Sequence, residues 1–137
     1  MISEKLKKLL PPLQLKAMEG NTEIEEQVKR MNSEADIICE LGETDNMKKH
    51  PLFLHYFIGG SDWYICEWDG EDEFFGYAIL NNDLHNSEWG YMSRTELLSL
   101  EFPGKLLLIN LDLFCPYKTI EEALYARDER YFAKYGG

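Results

Sequence analysis

Between residues 62 and 73 the chain carries six carboxylates, Asp62, Glu67, Asp69, Glu71, Asp72 and Glu73, and no basic residue. Carboxylates at this density can hold cations, attract basic partners over a distance, or move protons where the surroundings raise a pKa. The spacing is wrong for a calcium loop, which needs acids at alternate positions with Gly sixth, whereas Gly70 directly follows Asp69. Asp69-Gly70 instead has the chemistry of a two-residue primed hairpin turn with an exposed acidic tip. Asp69, Glu71, Asp72 and Glu73 are therefore candidate partner-binding residues on a turn, joined by Glu67 and Trp68 from the strand before it. Strand alternation puts Glu67 on the face of Trp63 and Ile65. A lone carboxylate there is expected to pair with a base or cap backbone groups at the sheet edge, with general acid or base work as the alternative.

The other reactive residue types form no such group. His50 and His55 flank Pro51 and His85 lies in a polar stretch, so no H-E-x-x-H ligand helix exists. Cys39, Cys66 and Cys115 show no C-x-x-C spacing, which fits thiols in a reducing compartment; Cys66, inside a strand, and Cys115, before Pro116, are expected in the core. "GGSD" at Gly59 to Asp62 lacks both the nucleophile elbow and the phosphate-loop lysine and reads as a turn. No catalytic residue, cofactor or metal ligand is assigned.

The elements that would position these residues follow from periodicity. "SEKLKKLLPPL" predicts a short helix after Ser3 stopped by Pro11 and Pro12. Thr22 and Glu25 have capping-box spacing, and Ile24, Val28, Met31, Ala35 and Ile38 mark an amphipathic helix closed by Gly42, expected to cover the sheet or lie at its edge. Aromatic and β-branched runs from Leu52 to Leu80, broken at Gly59-Gly60 and Asp69-Gly70, predict three antiparallel strands. A polar loop "NNDLHNSE", a short strand "WGYM" and a helix capped by Ser93 come next. "KLLLINLDLF" predicts a last strand, and "TIEEALYARDERYFAKY" a helix capped by Thr119. The fold class is α+β: one domain over 1–137, an antiparallel meander of about four to five strands with flanking N-terminal and C-terminal helices.

"LKKLLPPL", "WYICEWDGEDEFFGYAI", "EWGYMSRTELLSL" and "LDLF", in that order, resemble the bacterial family catalogued as domain of unknown function 2958. The resemblance rests on Trp63, Glu67, Phe75, Gly76, Tyr77, Gly90, Tyr91, Ser93, Glu96 and Leu97, with 21–45 a helical insertion. Gln14 departs from that family's usual Tyr, and "INLDLF" lacks its Glu-Arg pair. The resemblance implies the fold and carries no activity.

Charge bounds the function. With 14 Lys plus Arg against 25 Asp plus Glu, the net charge of -11 disfavours direct binding of nucleic acid or anionic membrane. No apolar run reaches the roughly 20 residues of a membrane span, and the N-terminus has no signal-peptide core, so a cytoplasmic protein is expected. The leading expectation is a non-catalytic adaptor or regulator of a basic protein partner, in a narrower form a nucleic-acid mimic. The alternative is a carboxylate-assisted hydrolase, with or without a metal, built on Glu67 and an acid from Asp69 to Glu73.

Overall fold

A computed structural model describes residues 1–102 and 107–136. Ser3 Oγ accepts from the Leu6 amide at 3.1 Å and starts α1 (Glu4–Leu9). The proline pair ends that helix and also begins another. Pro12 takes the first position of α2 (Pro12–Met18), where a helix has no use for its missing N–H. Asn21, in place of the anticipated Thr22–Glu25 box, caps a 3-10 turn (Thr22–Ile24) that leads into α3 (Glu25–Leu41), and Gly42 at φ 71° closes it.

Five strands form one antiparallel sheet in the order β4-β3-β2-β1-β5: β1 (Leu54–Ile58), β2 (Ser61–Trp68), β3 (Glu73–Leu80), β4 (Asp83–Ser93) and β5 (Asn110–Leu111). The architecture is α+β, as expected. The polar stretch read as a loop is most of β4. Edge strands tolerate polar residues because one edge meets water, and none of β4 is buried. The primed two-residue turn lies here: Leu80 pairs with Asp83, and Asn81 and Asn82 take φ of 50° and 59°. Asp69-Gly70 is not such a turn, because Trp68 pairs with Phe74 across a longer loop. The last strand is two residues long, and Lys105 and Leu106 of the expected strand lie outside the described residues. Gln14 occupies its outer edge like a short strand. Its amide donates to Leu111 O at 2.8 Å and accepts from Leu111 N at 2.7 Å.

Ser93 caps α4 (Arg94–Leu98) and Thr119 caps α5 (Ile120–Arg127), each accepting from the backbone three residues on. The last helix ends sooner than its pattern suggests. Asp128 turns extended and its side chain accepts from the Tyr131 amide at 2.9 Å, a local bond that competes with helix. This lets Phe132 reach the sheet.

Both sheet faces are covered. On one, Leu6, Leu9, Val28, Met31, Ala35 and Ile38 from the N-terminal helices pack on Leu54, Tyr56, Ile65, Trp68 and Phe74. The apolar stripe of α3 is thus buried against the sheet, as its spacing predicts. On the other face Tyr64, Cys66, Tyr77 and Ile79 meet Cys115, Ile120, Leu124 and Phe132. Cys66 and Cys115 are both core thiols. Among the described residues, no helix is long and apolar enough to cross a membrane.

Candidate functional site

The acidic loop spans Asp69 to Glu73, and its carboxylates have different duties. Asp69 Oδ1 accepts from the amides of Glu71 at 2.8 Å and Glu73 at 3.1 Å, so it builds the loop rather than decorating it. Gly70 supplies the φ of 84° this path requires. Trp68 is buried, and its indole N–H donates to Glu71 O at 3.0 Å, tying the loop to the core. Asp72 reaches out to α4. It accepts from Ser93 Oγ at 2.7 Å, from the Thr95 amide at 2.8 Å and from Thr95 Oγ1. Those hydrogen bonds, Thr95's first, hold its carboxyl down at about 2. Arg94 fastens the same junction, donating to Glu71 O at 2.8 Å and to Lys8 O at 2.6 Å.

Among the described residues, no hydrogen bond or ion pair engages the carboxylates of Glu71 and Glu73, and both residues are exposed. Both side chains stand in solvent. The acidic set therefore divides: Asp69 and Asp72 are structural, Glu71 and Glu73 are free.

Glu67 is not on the face of Trp63 and Ile65. Ile65 pairs with Gly76 but Glu67 pairs with Phe75, so Cys66 is an extra residue and the bulge reverses the alternation beyond it. Glu67 Oε2 accepts from the Thr44 amide at 2.8 Å and from Thr44 Oγ1 at 2.7 Å, which is the backbone-capping role anticipated for it. Thr44 Oγ1 also lies 3.4 Å from Cys66 Sγ, whose burial pushes its pKa up to about 11. That thiol is not a nucleophile at neutral pH.

Two depressions share Asp69, Glu73 and Tyr91. One of about 200 Å³ is lined also by Glu43, Glu67, Trp68 and Phe75; an open one of about 540 Å³ runs past Glu71, Asp72, Met92 and Ser93. Tyr91 is 69% exposed, with its ring 4.9 Å from Phe75, which stacks at 6.1 Å on Trp89. An aromatic strip with carboxylates around it suits a cationic side chain. Its aliphatic stem can lie on the rings while its charge meets the acids.

A second polar group draws on residues that spacing did not bring together. His55 Nε2 contacts Asp62 Oδ1 at 2.8 Å, and Nδ1 contacts Asp112 Oδ2 at 3.2 Å. Arg127 Nε donates to Asp62 Oδ2 at 3.2 Å, and Arg127 Nη2 to Asn82 Oδ1 at 2.7 Å. The ring stacks on Tyr64 at 4.6 Å. Burial alone would lower the imidazole pKa, but hydrogen bonds to Asp112 and Asp62 outweigh it and lift the pKa to about 10. Both carboxyls are held below their usual range, against the effect of burial, by His55 and, for Asp62, by Arg127. The one sequence signal was His55 itself, a polar residue alternating with buried Leu54 and Tyr56. Asp112 joins it only through strand pairing, its amide donating to His55 O at 2.8 Å. His50 serves otherwise: its amide and ring bind buried Glu121 at 2.8 and 2.7 Å.

Comparison with family models, with curated proteins and with solved structures finds no match.

Proposed function

We propose that this protein is a non-catalytic adaptor or regulator that binds a basic segment of a protein partner through the acidic loop and the aromatic strip beside it. The observation that carries this reading is the convergence of Glu73 and Tyr91 on both depressions, with Glu71 free at the rim. Attraction by the net charge of -11 would speed the encounter, and Tyr91 would supply contact area. Sequestration of a DNA-binding protein by an acidic mimic is a narrower form of the same proposal. A cytoplasmic location and membership of the family catalogued as domain of unknown function 2958 belong to the proposal too. That family brings no activity, so the reading rests on the surface alone.

The hydrolase alternative is less well supported, because Glu67 is engaged by Thr44 and Asp69 by its own loop. The test is calorimetric titration with a Lys/Arg-rich peptide and with its neutral Gln-substituted counterpart. The basic peptide is expected to bind with an affinity that falls as salt rises, and Tyr91→Ala and Glu73→Gln are each expected to weaken it. Equal binding of the two peptides, or indifference to both variants, would refute the proposal.

A further inference from the structure

Cys115 lies beside the His55 network, and the proposed partner surface does not use its thiol. The ligand-capable atoms of His55, Asp112 and Cys115 all lie within 4.8 Å of one another. We infer that His55 Nδ1, Asp112 Oδ2 and Cys115 Sγ form a binding site for a zinc-like divalent transition-metal ion, with a fourth position left for water. This inference is independent of the partner-binding reading and uses none of its residues.

The chemistry of the donors fits the ion. Imidazole nitrogen, thiolate sulfur and carboxylate oxygen are its three ordinary protein ligands, and two anions with one neutral ring offset a charge of +2. Zinc bonds of about 2.0–2.3 Å at tetrahedral angles place ligand atoms about 3.3–3.6 Å apart. Nδ1 and Oδ2 already stand at 3.2 Å, and Sγ lies within 4.8 Å of both. The ion replaces the proton between Nδ1 and Asp112, and the thiol proton leaves with it.

The three ligands are also held from behind, which chance neighbours seldom are. Asp62 accepts at Nε2 of His55, fixing the ring with Nδ1 toward the other two, and Arg127 holds the far oxygen of Asp62. The Phe114 amide donates to Asp112 Oδ1 at 2.8 Å, leaving Oδ2 for the ion. Arg30 donates to the carbonyl of Cys115 at 2.7 Å and pins the backbone there. Of the three ligands Asp112 is the most exposed. The Asp112 side chain is 27% exposed, and a depression of about 390 Å³ beside Tyr117 and Lys118 borders Cys115.

Cobalt(II), then zinc, titrated into chelator-treated, reduced protein tests the site. The expected result is one ion per chain and a cobalt–thiolate charge-transfer band that zinc abolishes. Cys115→Ser should remove the band and weaken binding at least tenfold, while Cys39→Ser leaves both unchanged. Asp62→Asn, which touches no ligand atom of the ion, should keep the band and weaken binding about 10–100-fold. If Cys115→Ser proves unfolded by circular dichroism, Asp112→Asn takes its place, with the band kept and affinity reduced. Absence of a thiolate band in the wild-type protein, its persistence in folded Cys115→Ser, or its loss in Cys39→Ser would each overturn the assignment.

Discussion

The acidic loop and the His55 network are both built on carboxylates, yet they differ in how they were assembled. The loop's acids lie close together in sequence, and the two that are engaged serve backbone amides: Asp69 folds the turn and Asp72 caps α4. The network's members, at 55, 62, 112 and 127, come from four separate stretches, and their side chains serve one another. Nearness in sequence therefore produced a turn, and nearness in space a polar cluster. Density of one charge type is a poor guide to where side chains will cooperate, because like charges repel and each seeks backbone N–H groups instead.

The largest effect should come from breaking the network at its centre. His55→Leu leaves Asp62 and Asp112 facing one another without the cation between them. Removing one partner of a buried pair costs about 3 kcal/mol or more; we expect the low end, because Arg127 still holds Asp62. Urea unfolding with chelator present would measure it. A loss under 1 kcal/mol, on the order of an exposed pair, would mean the network is solvated and the contrast with the loop is false.

A smaller loss is expected where the network meets the turn. Asn82 takes φ of 59° and accepts from Arg127, so Asn82→Ala forces an alanine into the left-handed region and removes an anchor. The left-handed conformation costs about 1–2 kcal/mol per residue without Asn or Gly. Asn82→Gly separates the two terms, since it restores the backbone but not the hydrogen bond. If glycine is as damaging as alanine, the Arg127 contact dominates.

Most of the fold was legible in the sequence wherever one residue type has one physical use. Ser3, Ser93 and Thr119 announced their caps, Gly42 its helix end, and the four apolar positions of α3 their burial. The errors fall where two uses compete. Asn-Asn and Asp-Gly can both make a primed turn; the pairing of Leu80 with Asp83 assigned it to the asparagines. The polar residues of β4 look like a loop because an edge strand buries nothing to mark its period. Glu67 was placed on the wrong face because a bulge at Cys66 adds one residue, and a single step reverses every side chain beyond it. The candidate site was legible as a stretch and illegible as a division of labour, since nothing in "DGEDE" separates Asp72 from its neighbours. The His55 group needed the pairing of β1 with β5, a contact between residues more than fifty apart.

Asp72 gives the loop its own pH signature. Its carboxyl is depressed to about 2 in the folded chain against an ordinary 3.8, so its contribution is fully present above pH 3.8 and is lost as pH falls toward 2. Asp72→Asn should lower the melting temperature at neutral pH and flatten the acid limb of stability between pH 4 and 2. An unaltered acid limb would mean that the hydrogen bonds to Ser93 and Thr95 are not maintained in solution.

The smallest effect on stability is expected from Glu71→Gln with Glu73→Gln, keeping Asp69, Gly70 and Asp72. Neutralising all three of Glu71, Asp72 and Glu73 is not a mild change, because it also removes the cap on Thr95. The carboxylates of the two glutamates make no hydrogen bond or ion pair with any described residue, and exposed substitutions of this kind usually move stability by no more than about 0.5 kcal/mol. Relief of repulsion in so acidic a segment makes a slight rise the expected sign. Binding should respond in the opposite way to stability. Affinity for a basic peptide should fall, and its salt dependence should flatten, since screening acts on the charges just removed. Stability and binding falling together would show the glutamates to be structural like Asp69, and the division of the loop would collapse. Stability held while binding weakens would show that one loop separates support from recognition residue by residue.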